Sequence, residues 1–337
     1  MAFTKVTAWG GAAGWIVAVL ATLLVADGRV FNRDGDVFAQ EPSVQIPIRN
    51  EVARPLGPSD EVLMLRHHRL LKGSHEPFFH LSETGVWPWF ARIGARMTGQ
   101  WVVVDPEGQT DFEFDDVYRL ARYASFEHWQ DTRGARSTTL GGSGPARELN
   151  IRALQLRREF QESSRGGYFL QGATATARPI YLPGVPSGDD RDVIAIQHDV
   201  AARTGTELVT LAYERIHKGA GDALLAATVA SVWPFEEKLG ARPIGQWKVI
   251  YPGAAGRTEE SPDYDELITM TRYASYGHYQ ALQPGRAVRL GGNGPDWRAW
   301  RDATREHAGQ TIDTRVEFLE GFLHGSPPYY LPAVVAR

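Results

Sequence analysis

"RLARYASFEHWQ", Arg119–Gln130, is the stretch that decides the fold, because it returns 150 residues later as "TMTRYASYGHYQ", Thr269–Gln280. In both copies a run of strand-forming residues leads to an Arg-Tyr pair, and the run predicts a β-strand. The serine that follows predicts the N-cap of a short helix. A strand end and a helix start that occur twice predict a duplicated structural unit.

The repeat extends well beyond this motif. Three further pairs of segments match: 72–101 with 218–247 without gaps, "LGGSGP" at 140–145 with "LGGNGP" at 290–295, and "PIYLP" at 179–183 with "PYYLP" at 328–332. The separation of the copies drifts only between 146 and 150 residues. Solenoid units span only about 20–50 residues. The sequence therefore predicts a duplicated domain.

Within one copy the hydrophobic pattern changes period in a fixed order. Residues 61–70 predict a strand and residues 74–93 a helix interrupted by Trp-Pro; two strands, a helical region and a closing strand follow. This β-α-β-β-α-β order is that of the ferredoxin-like unit. Helices cover one face of such a sheet, so the second copy must cover the other. The prediction is an α+β fold with two tandem ferredoxin-like (βαββαβ) domains that pair sheet to sheet as an intramolecular α+β barrel.

The order of these motifs resembles a known family. A strand, a helix with a proline near its end, a glycine, a Gly-Gln-Trp strand and an Arg-Tyr strand end are similar to the NIPSNAP domain of the dimeric α+β barrel superfamily. The resemblance covers both copies. It implies a monomer with an internal pseudo-dimer. The wider superfamily includes haem-binding and haem-degrading proteins, chlorite-decomposing enzymes and small quinone-forming monooxygenases.

The first residues predict export. An uncharged segment at residues 8–26 follows Lys5, and this pattern is typical of a cleaved signal peptide or of an N-terminal apolar helix that anchors the protein. Both of these place the folded part outside the cytoplasm, secreted, periplasmic or at the cell envelope, with membrane contact only through residues 8–26 if the segment is uncleaved. A third alternative is that the segment forms a buried N-terminal helix. The predicted organisation is a signal peptide or membrane anchor (1–39), a Pro-rich connector (40–60), a NIPSNAP-like domain (61–183), a linker (184–206) and a second NIPSNAP-like domain (207–333).

Composition excludes several classes of function. The 337 residues include no cysteine, so disulfides, thiolate metal sites and cysteine nucleophiles are excluded. A net charge of −4 with scattered basic residues argues against a nucleic-acid partner. The glycine-rich "LGGSGP" segment lacks the Gly-Lys-Ser/Thr ending of a phosphate loop. No metal site is predicted.

The repeated motif supplies the first candidate residues. Arg122 and Arg272 lie in apolar strand rows, so each needs a carboxylate, a carbonyl or a ligand as a partner, either in a structural salt bridge or strand-end cap or in an anion-binding site. His128 and His278 follow the motif and are candidates for catalysis. The alternative is that both histidines serve the structure, in the first turn of a helix capped by the preceding serine.

Polar residues that differ between the copies supply the remaining candidates. If His67 shares a face with Leu63 and Leu65, then Arg66, His68 and Arg119 point into the barrel interior. There they face Glu214, Thr269 and Thr271 of the second copy, either around a ligand or as mutual ion pairs. Gln100 and Gln246, on the Gly-Gln-Trp strands, are candidates to line the same space or to satisfy strand edges.

The functional expectation has two forms. The first is an exported NIPSNAP-like protein of undefined activity that binds a small hydrophobic or anionic molecule, or a protein, through a fused α+β barrel. The second is a haem-dependent or cofactor-independent monooxygenase, with a histidine such as His68 or His128 as base or axial ligand. A likeness of fold does not decide between them.

Overall fold

The computed structural model describes residues 61–175, 207–253 and 259–323, together with four strands of two residues each. The chain divides into two compact units, Met1–Pro47 and Ile48–Arg337. In the first unit Val30–Phe31 pairs antiparallel with Val37–Phe38. In the second unit Val200–Ala201 pairs antiparallel with Tyr329–Tyr330.

The predicted N-terminal features cannot be placed on this fold. The apolar segment at 8–26 and the connector at 40–60 lie outside the described residues, as does most of the linker at 184–206. None of the described helices combines the length and the apolar character that crossing a membrane requires.

The first half, residues 61–175, contains four strands. They are β1 (Val62–Leu71), β2 (Arg96–Val104), β3 (Phe114–Tyr123) and β4 (Gln161–Thr174). Its helices are α1 (His75–Leu81), α2 (Trp87–Arg92), α3 (Phe126–Asp131), α4 (Arg136–Gly141) and α5 (Pro145–Glu159). A π-helical turn at Ser82–Val86 joins α1 to α2.

The second half, residues 207–323, has the same order of elements. Its strands are β5 (Leu208–His217), β6 (Arg242–Ile250), β7 (Tyr264–Tyr273) and β8 (Thr311–Leu323). Its helices are α6 (Gly221–Ala227), α7 (Trp233–Lys238), α8 (Tyr276–Ala281), α9 (Pro284–Gly291) and α10 (Pro295–Gln310), with a π-helical turn at Thr228–Val232.

All eight of these strands join in one closed antiparallel barrel. The strand order is β7-β5-β8-β2-β3-β1-β4-β6, and β6 closes the ring by pairing with β7. The two halves therefore meet at two seams, where β8 pairs with β2 and β4 pairs with β6. The fold is mixed α+β, built around an eight-stranded antiparallel barrel.

Alternation along the strands gives the barrel an inner and an outer face. The inner face is an apolar cluster to which all eight strands contribute, and Leu63, Leu65, Trp101 and Trp247 are among its members. The outer face packs against helices, where Met64 of β1 belongs to a second cluster with residues of α2, α3 and α5. Each half of the sheet is thus buried on both sides.

The predicted direction of the polar strand residues is wrong. Because Leu63 and Leu65 face the interior, Arg66 and His68 point outward to the helices, and Arg119 points the same way. Glu214, Thr269 and Thr271 also alternate with interior residues and face outward. Alternation shows which residues share a face of the sheet. Both faces pack against apolar groups, so the pattern does not show which face lines the barrel interior and which packs against the helices.

The predicted break in the long helix is confirmed in both halves. Pro88 and Pro234 stand at the start of α2 and α7, and the π-helical turn lies directly before each of these helices. Proline donates no backbone hydrogen bond, so the regular ladder cannot continue through it. Gly94 and Gly240 follow these helices with φ of 84° and 92°, the left-handed conformation that glycine allows.

Candidate functional site

Two of the candidate arginines are held by carboxylates. Arg122 donates from Nε and Nη2 to the two carboxylate oxygens of Glu61, at 3.1 and 2.9 Å. Arg272 makes the matching pair with Glu207, at 2.8 and 3.3 Å. Each glutamate stands just before the first strand of its half, so the pair ties that strand to the end of the Arg-Tyr strand. A guanidinium engaged in this way is poorly placed to bind a ligand.

The two repeated histidines make the same hydrogen bonds in both halves. His128 Nδ1 accepts from the backbone N–H of Ala124 at 3.0 Å, and Nε2 donates to the carbonyl of Ile93 at 2.8 Å. His278 repeats both bonds, at 3.2 and 3.0 Å. Ser125 accepts from the backbone N–H of His128 at 3.1 Å, as the predicted N-cap. Both ring nitrogens of each histidine are thus engaged in backbone hydrogen bonds that hold the turn.

We expect acidification to weaken the fold through His128. Burial lowers the pKa of His128 below its usual value, and protonation would turn a second ring N–H toward the backbone N–H of Ala124. Between the two pKa values the folded protein binds fewer protons than the unfolded chain. This contribution to stability is therefore complete above about pH 6.5 and is lost as the pH falls through the folded-state pKa.

Urea unfolding over a range of about pH 5 to 8 would measure this effect, with a slope of at most about 1.4 kcal/mol per pH unit for one histidine. His128→Gln should reduce the slope. His217→Gln, on an exposed residue at the end of β5, is the control and should not change it. An equal slope in the wild type and the His128→Gln variant would contradict the prediction.

Four basic side chains meet between the sheet and the helices of the first half. This cationic cluster consists of Arg66 and His68 from β1, Arg119 from β3 and Arg157 from α5. Arg66 and Arg119 lie directly opposite each other in the pairing of β1 with β3. His68, Arg119 and Arg157 are only 3%, 4% and 3% exposed. Basic residues are almost never buried to this extent unless they are paired.

Aromatic and neutral polar groups pack against the cluster, and the charge of a further base, Arg133, lowers the pKa of Arg66 and of Arg119. The Arg157 guanidinium lies 4.0 Å from the centroid of the Phe78 ring. Gln100 lies opposite Arg119 on β2, and its Oε1 accepts from Ser82 Oγ at 3.2 Å. Ser82 is the first residue of the π-helical turn, and such turns are frequent at functional sites.

Most of the unmatched buried polar atoms in and beside the cluster are hydrogen-bond donors. Gln161 Nε2 lies 2.9 Å from His68 Nδ1 and donates to it, so the neutral ring carries its proton on Nε2. Six buried N–H donors have no hydrogen-bond partner in the described part of the chain: Arg66 Nε, His68 Nε2, Gln100 Nε2, Arg119 Nε, Arg157 Nε and Arg157 Nη1. The buried Tyr123 hydroxyl, which can donate or accept, also has none. Donors therefore outnumber acceptors at this site.

The cluster also lacks negative charge. No aspartate or glutamate among the described residues forms an ion pair with it. Burial, followed by the charge of Arg119, lowers the pKa of Arg66 to about 9. Burial, followed by Arg119 and Arg157, lowers the pKa of His68 well below its usual value. Each basic group thus disfavours the charged form of the others. A bound anion would relieve this electrostatic repulsion.

The second half fills the same layer with an acid and a base that pair with each other, while Gln246 Oε1 has no partner among the described residues. At the positions matching Arg66, His68, Arg119 and Arg157 it has Ala212, Glu214, Thr269 and His307. His307 Nε2 lies 3.1 and 3.2 Å from the carboxylate oxygens of Glu214. Desolvation opposes the charge of His307, but its hydrogen bond to Glu214 and the charge of Glu214 raise its pKa. Gln246 donates to Thr269 Oγ1 at 3.1 Å.

The structure therefore separates the predicted candidates. Four of them, Arg66, His68, Gln100 and Arg119, lie together in the first half, whereas Glu214 and Gln246 lie in the matching layer of the second half. Sequence reasoning missed Arg157, which it read only as part of a helix. The available signal was its position on the buried stripe of α5 that also carries Asn150 and Ala153.

Comparison with known proteins gives fold neighbours and no family. No protein-family model matches the chain, and no curated protein matches it. A monooxygenase-like protein from Lactobacillus acidophilus NCFM is similar in structure, with 9% identity, a TM-score of 0.45 and coverage of 78% of this chain and 94% of that one. A chlorite dismutase variant from Candidatus Nitrospira defluvii is similar with 11% identity, a TM-score of 0.32 and coverage of 77% and 91%.

A NIPSNAP family protein from Agrobacterium tumefaciens is also similar in structure. It has 17% identity and a TM-score of 0.26, and the match covers 34% of this chain and 93% of that one. The structural neighbours thus include dimeric α+β barrel proteins, while the NIPSNAP assignment stays a prediction. At these similarities function is argued from the residues of the site alone.

The site does not fit a haem or a metal ion. The described residues contain no group of three or more His, Asp or Glu side chains that could hold a metal. His68 has its proton on Nε2, which is buried and has no partner among the described residues, and the neighbouring arginines repel a further cation. His128 and His278 use both ring nitrogens for backbone hydrogen bonds.

Proposed function

We propose that the first half binds a small organic anion between its sheet and its helices. The observation that carries the proposal is the cationic cluster, with six buried N–H donors that have no hydrogen-bond partner and with no acidic partner among the described residues. A ligand with anionic oxygen atoms supplies both the missing acceptors and the missing charge. Hydrogen bonds from guanidinium to carboxylate or phosphate oxygens are among the strongest in proteins, and their geometry is specific.

The energetics support binding over a purely structural role. Burying an ion without a partner costs several kcal/mol, a large part of a typical stability of about 5–15 kcal/mol. The second half closes the same layer with Ala212 and the Glu214–His307 pair, so this arrangement of elements does not require buried cations. A bound anion would offset the free-energy cost of keeping the buried cations in the first half.

We expect Arg119→Gln to raise the melting temperature of the ligand-free protein and to abolish its response to anions. The substitution removes a buried charge that has no acidic partner, which should stabilise the fold by about 1–3 kcal/mol, or roughly 2–10 °C. Scanning calorimetry of the full chain with benzoate and with inorganic phosphate would measure both effects. The wild type should melt at a higher temperature with a probe that it binds.

Arg158→Gln is the matched control, because Arg158 is the exposed neighbour of Arg157 on α5. It should change neither the melting temperature nor the response. Native mass spectrometry of the gently purified full chain should detect a co-purified small molecule in the wild type and none in Arg119→Gln. The proposal fails if the wild type carries no small molecule and responds to neither probe, and Arg119→Gln melts at a lower temperature.

A monooxygenase is supported less well by this geometry. A general base needs a free lone pair within reach of the proton that it removes. The amide of Gln161 donates to His68 Nδ1, which leaves the proton on Nε2, a buried nitrogen without a partner among the described residues. His68 is therefore placed to donate a hydrogen bond to an anion, and binding is the function that the geometry favours.

We also infer that the two halves are tandem ferredoxin-like domains of NIPSNAP type in one monomer. The repeated sequence motifs support this, as do the matching strand orders, β2-β3-β1-β4 and β6-β7-β5-β8. Export through residues 1–39 is proposed from the sequence alone. The intact mass of the chain recovered from a cell envelope fraction would distinguish a cleaved from a retained segment at residues 8–26, and recovery only from the cytoplasm would refute export.

A further inference from the structure

We propose that a carboxylate group of the ligand lies between His68 and Arg157 and takes the role that Glu214 plays in the second half. The inference rests on the proposed function and adds to it the chemical class of the ligand, a small organic carboxylate. It also assigns the two residues that hold the carboxylate.

The two halves place these side chains at matching positions. His68 is six residues into β1 from Val62, and Glu214 is six residues into β5 from Leu208. His68 pairs with the third strand of the first half, and Glu214 pairs with the third strand of the second half at the matching residue. Arg157 and His307 each lie twelve residues after the proline that opens their helix. The strand and helix positions meet in the second half, where Glu214 contacts His307, and in the first half His68 and Arg157 both pack against the ring of Phe78.

The chemistry of the two pairs differs by one carboxylate. In the second half the strand carries the acid, Glu214, and the helix carries the base, His307, at 3.1 Å. In the first half the strand and the helix both carry bases. His68 Nε2 and Arg157 Nη1 are buried donors without a partner in the described chain. A carboxylate has two oxygens with which to accept from both, so it completes the first half as Glu214 completes the second.

Aromatic packing fixes the direction of both donors. Phe78 is fully buried, its ring lies under the Arg157 guanidinium, and the His68 ring centroid is 5.3 Å from the Phe78 centroid. Gln161 fixes the ring of His68 from the opposite nitrogen. Donors held in place before a ligand arrives lose little freedom on binding, which favours affinity.

The test is to move the missing carboxylate onto the chain with His68→Glu. The ligand-free variant should melt at a higher temperature than the ligand-free wild type, and its affinity for benzoate should fall by at least about tenfold in calorimetric titration. The stabilisation should depend on Arg157. It should disappear in His68→Glu/Arg157→Gln, because the introduced carboxylate then has no guanidinium on α5 to accept from.

Each outcome decides the inference. If His68→Glu binds benzoate within about twofold of the wild type while Arg119→Gln does not bind it, the carboxylate lies elsewhere and the proposed function stands. If the stabilisation survives Arg157→Gln, the negative charge acts on the whole cluster, and the assigned pair is wrong. If the wild type binds no carboxylate but binds inorganic phosphate, the ligand class is wrong. Should His68→Glu fail to fold, His68→Glu/Arg157→His reproduces the pair that packs in the second half and is read in the same way.

Discussion

Gly172→Ala should open one seam of the barrel and lower the free energy of unfolding by about 3 kcal/mol or more. A Cβ atom at Gly172 would lie 2.5 Å from the carbonyl oxygen of Gln246 and 2.7 Å from Cα of Trp247. Both are backbone atoms of β6, which cannot move away without breaking the pairing of β4 with β6. In calorimetry we expect a melting temperature lower by roughly 6–12 °C.

The other seam should respond in the same way. A Cβ atom at Gly321 would lie 2.4 Å from the carbonyl oxygen of Gln100 and 2.7 Å from Cα of Trp101, and the φ of Gly321 is 155°. Gly309→Ala is the control, because a Cβ atom at Gly309 meets nothing within 4 Å. In α10 this change should stabilise the helix by up to about 1 kcal/mol. Seam variants that melt at the same temperature as the control would show that the strands approach each other less closely than they do in this structure.

These glycines show which part of the fold the sequence predicts. The segment "FLQG" of the first copy matches "FLEG" of the second, so their strands and their place in the repeat follow from the sequence. The reason for the glycine does not. It depends on the approach of β4 to β6 and of β8 to β2, contacts between the halves that no local pattern encodes. The order and type of the secondary-structure elements follow from local sequence patterns, whereas the seams depend on tertiary contacts between the halves.

The candidate site follows the same division. The difference between "RHHR" in β1 and "AYER" in β5 marks Arg66 and His68 as unusual from sequence alone. Their direction depends on which apolar surface covers each face, and the pattern does not contain that information. Arg157 lies about 90 residues farther along the chain and joins the cluster only because α5 packs on β1 and β3.

Arg122→Ala should lower the free energy of unfolding by about 3–5 kcal/mol, more than Arg272→Ala does. The side chains of Arg122 and Glu61 are each 6% exposed, whereas those of Arg272 and Glu207 are 9% and 18% exposed. In Arg122→Ala the buried Glu61 carboxylate loses two guanidinium hydrogen bonds where water has little access. Water reaches Glu207 more easily and offsets part of the loss in Arg272→Ala. Urea unfolding of both variants at neutral pH would measure the difference, and an equal loss in both would contradict this account.

The double variant Glu61→Leu/Arg122→Leu separates the cost of an uncompensated charge from the worth of the pair. Replacing a buried ion pair by apolar side chains is often neutral or stabilising, so we expect it to unfold within about 1 kcal/mol of the wild type. The Glu61–Arg122 pair would then fix the register of β1 against β3 more than it stabilises the fold. Arg122 lies opposite Leu63 on β1, and a slip of one residue would turn its guanidinium to the other face of the sheet, away from Glu61. A double variant as unstable as Arg122→Ala would instead show that the hydrogen bonds themselves hold β1 to β3.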